Sequence, residues 1–158
     1  MNEQAIQSIV ETVVSKISPK DITLDLAQSV AQKVREKAKK MGVKAVVAIS
    51  NRAACPVLVE SMDDAYIASY DIAVQKAFTV VSLKMSTATL KSLAQPGGSL
   101  YGIQFTNGGK IVIFGGGEPL KNREGQIVGG IGVSGGTEAQ DTALAAYGKE
   151  IFEKGQYL

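Results

Sequence analysis

The chain has no histidine. That one absence removes Ser-His triads, imidazole general bases and His-ligated metal sites together. Cysteine occurs once, as Cys55, which excludes an intramolecular disulfide framework. No stretch of about 18 uninterrupted apolar residues offers a membrane span, and the opening residues lack the charged, apolar and small-residue regions of a secretory signal. Together these absences predict a cytosolic protein with no membrane partner. Charge of one sign is scarce as well, since a net +2 is too small to argue for a nucleic-acid partner. Lys33, Arg35, Lys37, Lys39 and Lys40 do cluster, but at a helix end, where cations complement the macrodipole. What is present is ordinary for a globular protein: 45% apolar and 20% charged residues among 158, enough for one domain with a single core.

Residues 3–17 place Ile6, Ile9, Val10, Val13, Val14 and Ile17 at helical spacing opposite Glu3, Gln7, Glu11 and Lys16, which predicts a short amphipathic helix. Ser18-Pro19 ends it, because proline lacks an N–H and disfavours helix in the residue before it. Residues 1–20 therefore read as an extension ahead of a domain over residues 21–158. In that domain Thr23 as N-cap, a stripe of Leu24, Ala27, Val30, Ala31, Val34 and Ala38, and Gly42 as a left-handed cap predict the first core helix. Val43–Ile49 and Val57–Val59 read as a hairpin or as neighbouring antiparallel strands around Ser50-Asn51-Arg52. A long helix is expected over residues 63–83, with Ala65, Ala68, Ile72, Ala73, Lys76, Ala77, Val80 and Val81 inward, then a short one over residues 87–93.

Residues 101–105, 110–114 and 126–133 read as three further strands, with Asn107-Gly108-Gly109 as a hairpin turn. Thr137 and Gln140 have capping-box spacing for a last helix that turns Ala139, Ala143, Leu144 and Tyr147 inward. The sum is an α+β domain with a five-stranded antiparallel sheet flanked by helices, because consecutive strands without intervening helices do not build a parallel sheet.

About half of the 17 glycines fall between Phe114 and Asp141, threaded with apolar residues rather than Ser or Pro. Glycine loses the most freedom on folding, so such a run is ordered only where backbone takes a left-handed turn or approaches something closely. Gly130-Ile131-Gly132-Val133-Ser134-Gly135 has the G-x-G-x-x-G spacing after a strand and before a helix. The dinucleotide fingerprint also needs an acidic residue about 20 positions on, at the end of a second strand; here Glu150 falls on the final helix. No Gly-Lys-Ser/Thr ending supports a P-loop either. What remains is a strand whose small residues admit a helix, a ligand or a partner subunit against the backbone.

Met62-Asp63-Asp64, Lys76-Ala77-Phe78-Thr79, Thr87, Gly115-Gly116-Gly117-Glu118-Pro119-Leu120, Gly125 and Ile127 to Gly136 with Gln140-Asp141, taken in order over about residues 22 to 150, resemble the GlcG/HbpS family, also called the haem-degrading domain family. The resemblance implies a five-stranded antiparallel sheet between helices, assembly into homo-oligomers, and members that bind haem or are fused to the cobalamin adenosyltransferase domains of propanediol-utilisation operons. It points to a haem or cobalamin site at the glycine-rich strands, comprising Met62, Lys76, Tyr101, Gly115, Gly116, Gly117, Gly130, Ser134, Gly135 and Asp141. Relatives that bind haem commonly use a histidine near the iron, whereas here Met, Tyr, Cys, Lys or no strong axial ligand would serve. Met62, Cys55 and Tyr101 are the substitutes, each also readable as core or loop packing. Lys76 either meets a carboxylate or propionate or is a helix lysine that snorkels. Asp141 either complements the last helix's dipole or is a site acid.

Residues 1–20 have their own resemblance, to the encapsulation peptides that carry enzymes into bacterial microcompartments; a helix that cannot bury its stripe on itself seeks a shell groove or another peptide. Three functions follow as expectations. The first is a cofactor-binding accessory protein of a diol- or glycerol-type microcompartment. The second is an interaction module whose glycines pack subunits and whose first helix organises cargo. The third is an enzyme on a small acid or haem using Lys76, Ser134 and Asp141, ranked last because no histidine and no paired carboxylates supply acid and base. No residue is assigned a catalytic role on the sequence, and no metal site is expected.

Overall fold

A computed structural model describes residues 2–17 and 20–155. The elements run α1 (Glu3–Ile17), α2 (Leu24–Lys40), β1 (Val46–Asn51), β2 (Pro56–Ser61), α3 (Ile67–Ser82), α4 (Thr87–Leu93), β3 (Gly117–Lys121), β4 (Ile127–Ser134) and α5 (Glu138–Gly155). The caps read from the sequence are in place. Thr23 Oγ1 accepts the Leu26 N–H at 3.3 Å, and Gly42 follows α2 at φ +69°. Thr137 and Gln140 exchange both capping-box bonds, at 2.9 and 3.2 Å. The expected helix stop at Ser18-Pro19 lies outside the described residues.

Strand order is β2-β1-β4-β3, every neighbouring pair antiparallel. Alternation assigns the two faces. Val47, Ile49, Ile131 and Val133 pack with Val30, Val34, Leu144 and Phe152 of α2 and α5, whereas Val46 and Ala48 pack with Ala73 and Ala77 of α3 on the other side. The result is three layers, with α2 and α5 on one face of the sheet and α3, joined by α4, on the other.

Among the described residues the expected five-stranded sheet has four strands. Residues 101–105 and 110–114 are not strands: Gly102 at φ +88° leads into a 3-10 turn over Ile103–Phe105, a second 3-10 turn covers Asn107–Gly109, and neither segment pairs with a strand of the sheet. Ile111 and Val112 are buried as their apolar character demands, but the Val112 N–H bonds to Thr79 Oγ1 of α3 at 3.0 Å instead of to a ladder. The strand missed by sequence reading is β3, because Gly-Glu-Pro-Leu-Lys lacks β-branched residues and carries Pro119. Proline is tolerated there because β3 is an edge strand. Other boundaries shift as well. Asp64 at φ +60° precedes α3, so that helix starts at Ile67 rather than residue 63. The inward stripe of α5 is Asp141, Leu144, Ala145, Gly148 and Phe152; Ala139 and Ala143 face out, and so does Leu24 of α2.

Candidate functional site: a buried lysine–aspartate pair beside an aromatic cleft

Register explains why the glycines are where they are. Ala48 pairs with Gly132, which pairs with Gly117 on its other side, so a row of small residues crosses three strands beneath α3. A Cβ on Gly132 would lie 2.1 Å from the Ala73 carbonyl oxygen and 2.7 Å from the Ala77 nitrogen, and one on Gly130 would lie 2.8 Å from the Ala77 carbonyl oxygen. The helix backbone thus rests directly on the sheet backbone, with Ala73 and Ala77 as its contact stripe. The G-x-G-x-x-G spacing has a packing cause: Gly130 and Gly132 seat a helix and hold no phosphate.

That close approach encloses Lys76. Its side chain has no exposure, and its ammonium donates to the Val133 carbonyl at 2.8 Å and to Asp141 Oδ2 at 3.1 Å. The Phe114 ring lies over it, 4.9 Å from Nζ to centroid, a cation–π distance. Asp141 Oδ1 accepts the Gly136 N–H at 2.9 Å, so one carboxylate ties α3 to the turn that opens α5. Of the two sequence readings for Lys76, the carboxylate partner holds and the snorkelling lysine does not. Burial depresses the Lys76 pKa below its ordinary 10.5, while Asp141 and, more weakly, Glu138 push it back up.

The glycines Gly115 to Gly117 close over this pair. Gly116 is at φ +114°, and a Cβ there would lie 2.6 Å from Lys76 Nζ and 2.7 Å from the Val133 carbonyl oxygen, so position and backbone both demand glycine. The Gly115 N–H donates to Glu138 Oε1 at 2.9 Å and the Gly117 N–H to Thr87 Oγ1 at 2.9 Å. Glu138 Oε2 also accepts from Lys91 at 2.6 Å, and these two donors hold its carboxyl below the usual carboxylate range. At the end of β4, Ser134 Oγ donates to Ser69 Oγ at 3.1 Å.

Beside the pair opens a cleft of about 300 Å³, with Tyr66, Ile72 and Phe114 as its apolar walls and Ser69, Ser134 and Asp141 among its polar lining. The first turn of α5 borders it but does not invite an anion, since the Gly136 and Thr137 N–H groups are taken by Asp141 and Gln140. Of the residues singled out from sequence, Lys76, Gly115, Gly116, Gly117, Ser134, Gly135 and Asp141 come together here, while Gly130 lies under α3. Met62 does not join them. It lines a separate hollow of about 540 Å³ with Arg35, Lys39 and Lys44, and its sulfur accepts the Ala45 N–H at 3.4 Å. Tyr101 is exposed on the segment between α4 and β3 and is not among the cleft's lining residues, and Cys55 is exposed in the β1–β2 turn. Sequence reading missed Tyr66, Ser69, Phe114 and Glu138, and it named Thr87 as a motif residue without a place in the site. Phe114, directly before three glycines, was the visible signal; Tyr66 was hidden by the expected earlier start of α3.

Fold and cluster together define a small α+β domain in which a buried ion pair braces a glycine-rich turn beside an aromatic cleft. The chain belongs to the family described as haem degrading protein HbpS-like, which matches residues 22–150. An uncharacterised protein from the dhaT–dhaS intergenic region of Citrobacter freundii is 41% identical over 115 residues, 73% of this chain and 80% of that one. The corrinoid adenosyltransferase PduO of Citrobacter freundii is 39% identical over 107 residues, 68% of this chain but 32% of PduO, so the chain matches about a third of that enzyme's length. Among solved structures, Klebsiella pneumoniae protein ORFY is 44% identical at a TM-score of 0.80, covering 83% of this chain and 90% of that one. The structure titled as a PduOC:heme complex is 33% identical at a TM-score of 0.79, covering 83% and 94%.

For a haem, the cleft's chemistry fits in two respects. Phe114 offers a flat apolar face to a ring and Ile72 further apolar contact, and Tyr66 offers an oxygen of a kind that ligates haem iron. Among the described residues no helix is long and apolar enough to cross a membrane.

Proposed function

We propose that this chain binds a tetrapyrrole, haem or a corrinoid, in the cleft beside Gly115–Gly117 and Ser134–Gly136, and that it serves as an accessory protein of a diol- or glycerol-type bacterial microcompartment. The observation that carries the reading is the cleft itself: apolar walls from Tyr66, Ile72 and Phe114 over a floor of fixed polar groups, the composition of small-molecule sites. The relation to PduO and to the PduOC:heme complex favours a tetrapyrrole over other planar ligands. At about 300 Å³ the cleft is at the small end of such sites, so part of a tetrapyrrole would extend beyond it. Phe114, Ile72 and Tyr66 would hold the ring, and Lys44, which shares an adjoining hollow with Tyr66 and ion-pairs with Asp64 at 2.9 Å, would exchange that partner for a carboxylate of the ligand. A bound haem would supply redox-active iron. The role of this chain's own residues is to orient the ring and shield one face from water. Titrating the purified protein with haemin and with cobalamin tests the proposal by absorbance: a saturable shift with either supports it, and no shift with both ends it.

A second observation favours a docking role for residues 1–20. On α1, Ile6, Ile9, Val10 and Val13 are each about half exposed along one face, an apolar stripe of the kind that seats in a groove. In this reading the helix addresses the domain to shell or cargo proteins inside the compartment lumen. Deleting residues 1–20 should abolish co-localisation with the shell; unchanged co-localisation would defeat the docking role.

A further inference from the structure

We propose that the Tyr66 hydroxyl is the axial ligand of ferric haem in this chain, an assignment that rests on the tetrapyrrole reading above. The argument is one of donor chemistry placed by the fold. The sequence has no histidine. Cys55 is in the β1–β2 turn, and the sulfur of Met62 already accepts the Ala45 N–H in another hollow. The Lys76 amine is fully enclosed and holds two hydrogen bonds, and Asp141 and Glu138 spend their oxygens on Lys76, Gly136, Gly115 and Lys91. Among the described residues lining the cleft, that leaves Tyr66 as the strong iron ligand. Phenolate is an established haem ligand type.

Its position suits the task. Tyr66 is 75% exposed and immediately precedes α3, where its side chain makes no capping hydrogen bond. Its backbone is held, because its carbonyl accepts the Ser69 N–H at 2.9 Å and α3 is pressed onto the glycine row. Tyr66 thus sits exposed on a fixed mount and lines both the cleft and the hollow that contains Lys44. On binding, the phenol O–H bond breaks and an oxygen–iron bond forms as the iron releases the hydroxide or water it carries in solution, which takes up the phenol proton; the iron stays ferric and no electron moves.

The test uses the full chain and three proteins: wild type, Tyr66→Phe and, as control, Tyr70→Phe, whose ring is one turn along α3. Each is titrated with haemin and with metal-free protoporphyrin, and the haemin complexes are read by resonance Raman for iron–phenolate modes. Wild type and Tyr70→Phe should display those modes; Tyr66→Phe should lose them and bind haemin more weakly, while its protoporphyrin affinity stays that of wild type. Retention of the modes in Tyr66→Phe, or their loss in Tyr70→Phe, overturns the assignment. Failure of all three proteins to bind either porphyrin overturns the tetrapyrrole reading itself, and the ligand assignment with it.

Discussion

Replacing Asp141 with asparagine removes one charge and almost no volume, so its cost isolates the value of the countercharge to Lys76. Asp141 satisfies two donors at once, the Gly136 N–H through Oδ1 and the Lys76 ammonium through Oδ2. Asparagine has one carbonyl oxygen. Whichever way its amide points, one of those donors faces an NH2 group. With no exposure at Lys76, water cannot make up the difference, and breaking a buried pair from one side costs about 3–5 kcal/mol. In a domain of this size that lowers the melting temperature by roughly 6–20 °C. The loss should shrink as pH rises, since a neutral Lys76 amine can accept from the asparagine NH2. Lys76→Met/Asp141→Leu, which removes both charges, should lose less than Asp141→Asn alone. Urea denaturation at neutral and alkaline pH measures all three quantities. An Asp141→Asn protein within about 1 kcal/mol of wild type at neutral pH would refute the account of a desolvated pair.

Gly132→Ala should be far more damaging than its one carbon suggests, since the new Cβ meets the Ala73 carbonyl at 2.1 Å; a loss of about 3 kcal/mol or insoluble expression is expected. Gly125→Ala, with open space around it but φ +76°, should cost about 1–2 kcal/mol from backbone strain alone, and thermal melts of the two variants compare packing with conformation. Because the folded-state pKa of Lys76 lies below its ordinary 10.5, the unfolded chain binds more protons between those values. Stability from this group therefore rises with pH across that window, a rise that Lys76→Met should lack in urea titrations at stepped pH. Ser134→Ala leaves Ser69 without its hydroxyl partner and should cost about 1 kcal/mol, whereas the Ser69→Ala/Ser134→Ala pair, measured in the same way, should recover part of that loss.

The helices were legible because their signals are local. Thr23, Thr137 with Gln140, and the Ala27 to Ala38 stripe all act within a few residues of themselves. The sheet was less so. Residues 101–114 have the composition of two strands and a turn, yet residues 103–105 coil into a 3-10 turn, and the Val112 N–H is taken by Thr79 of α3 instead of by a neighbouring strand, a distant partner that composition does not announce. The edge strand β3 is set by its pairing with β4 and not by its own propensity, so Pro119 concealed it. In the site, Lys76 and Asp141 were both named from the sequence, but their partnership was not, because 65 residues separate them and only the helix-on-glycine seating brings the amine to the carboxylate.

That separation bears on how the chain folds. Lys76 needs the Val133 carbonyl from β4 and the carboxylate from α5, 57 and 65 residues further on. Until both arrive, closing α3 onto the sheet would strand an ammonium away from water at a cost no local contact offsets. During synthesis α3 is made before β4 and α5, so the half-built domain lacks both partners of the lysine until the last helix emerges. A nascent chain stopped short of Asp141 should therefore remain protease-sensitive at α3, and closure should come as one late, cooperative event dominated by distant contacts.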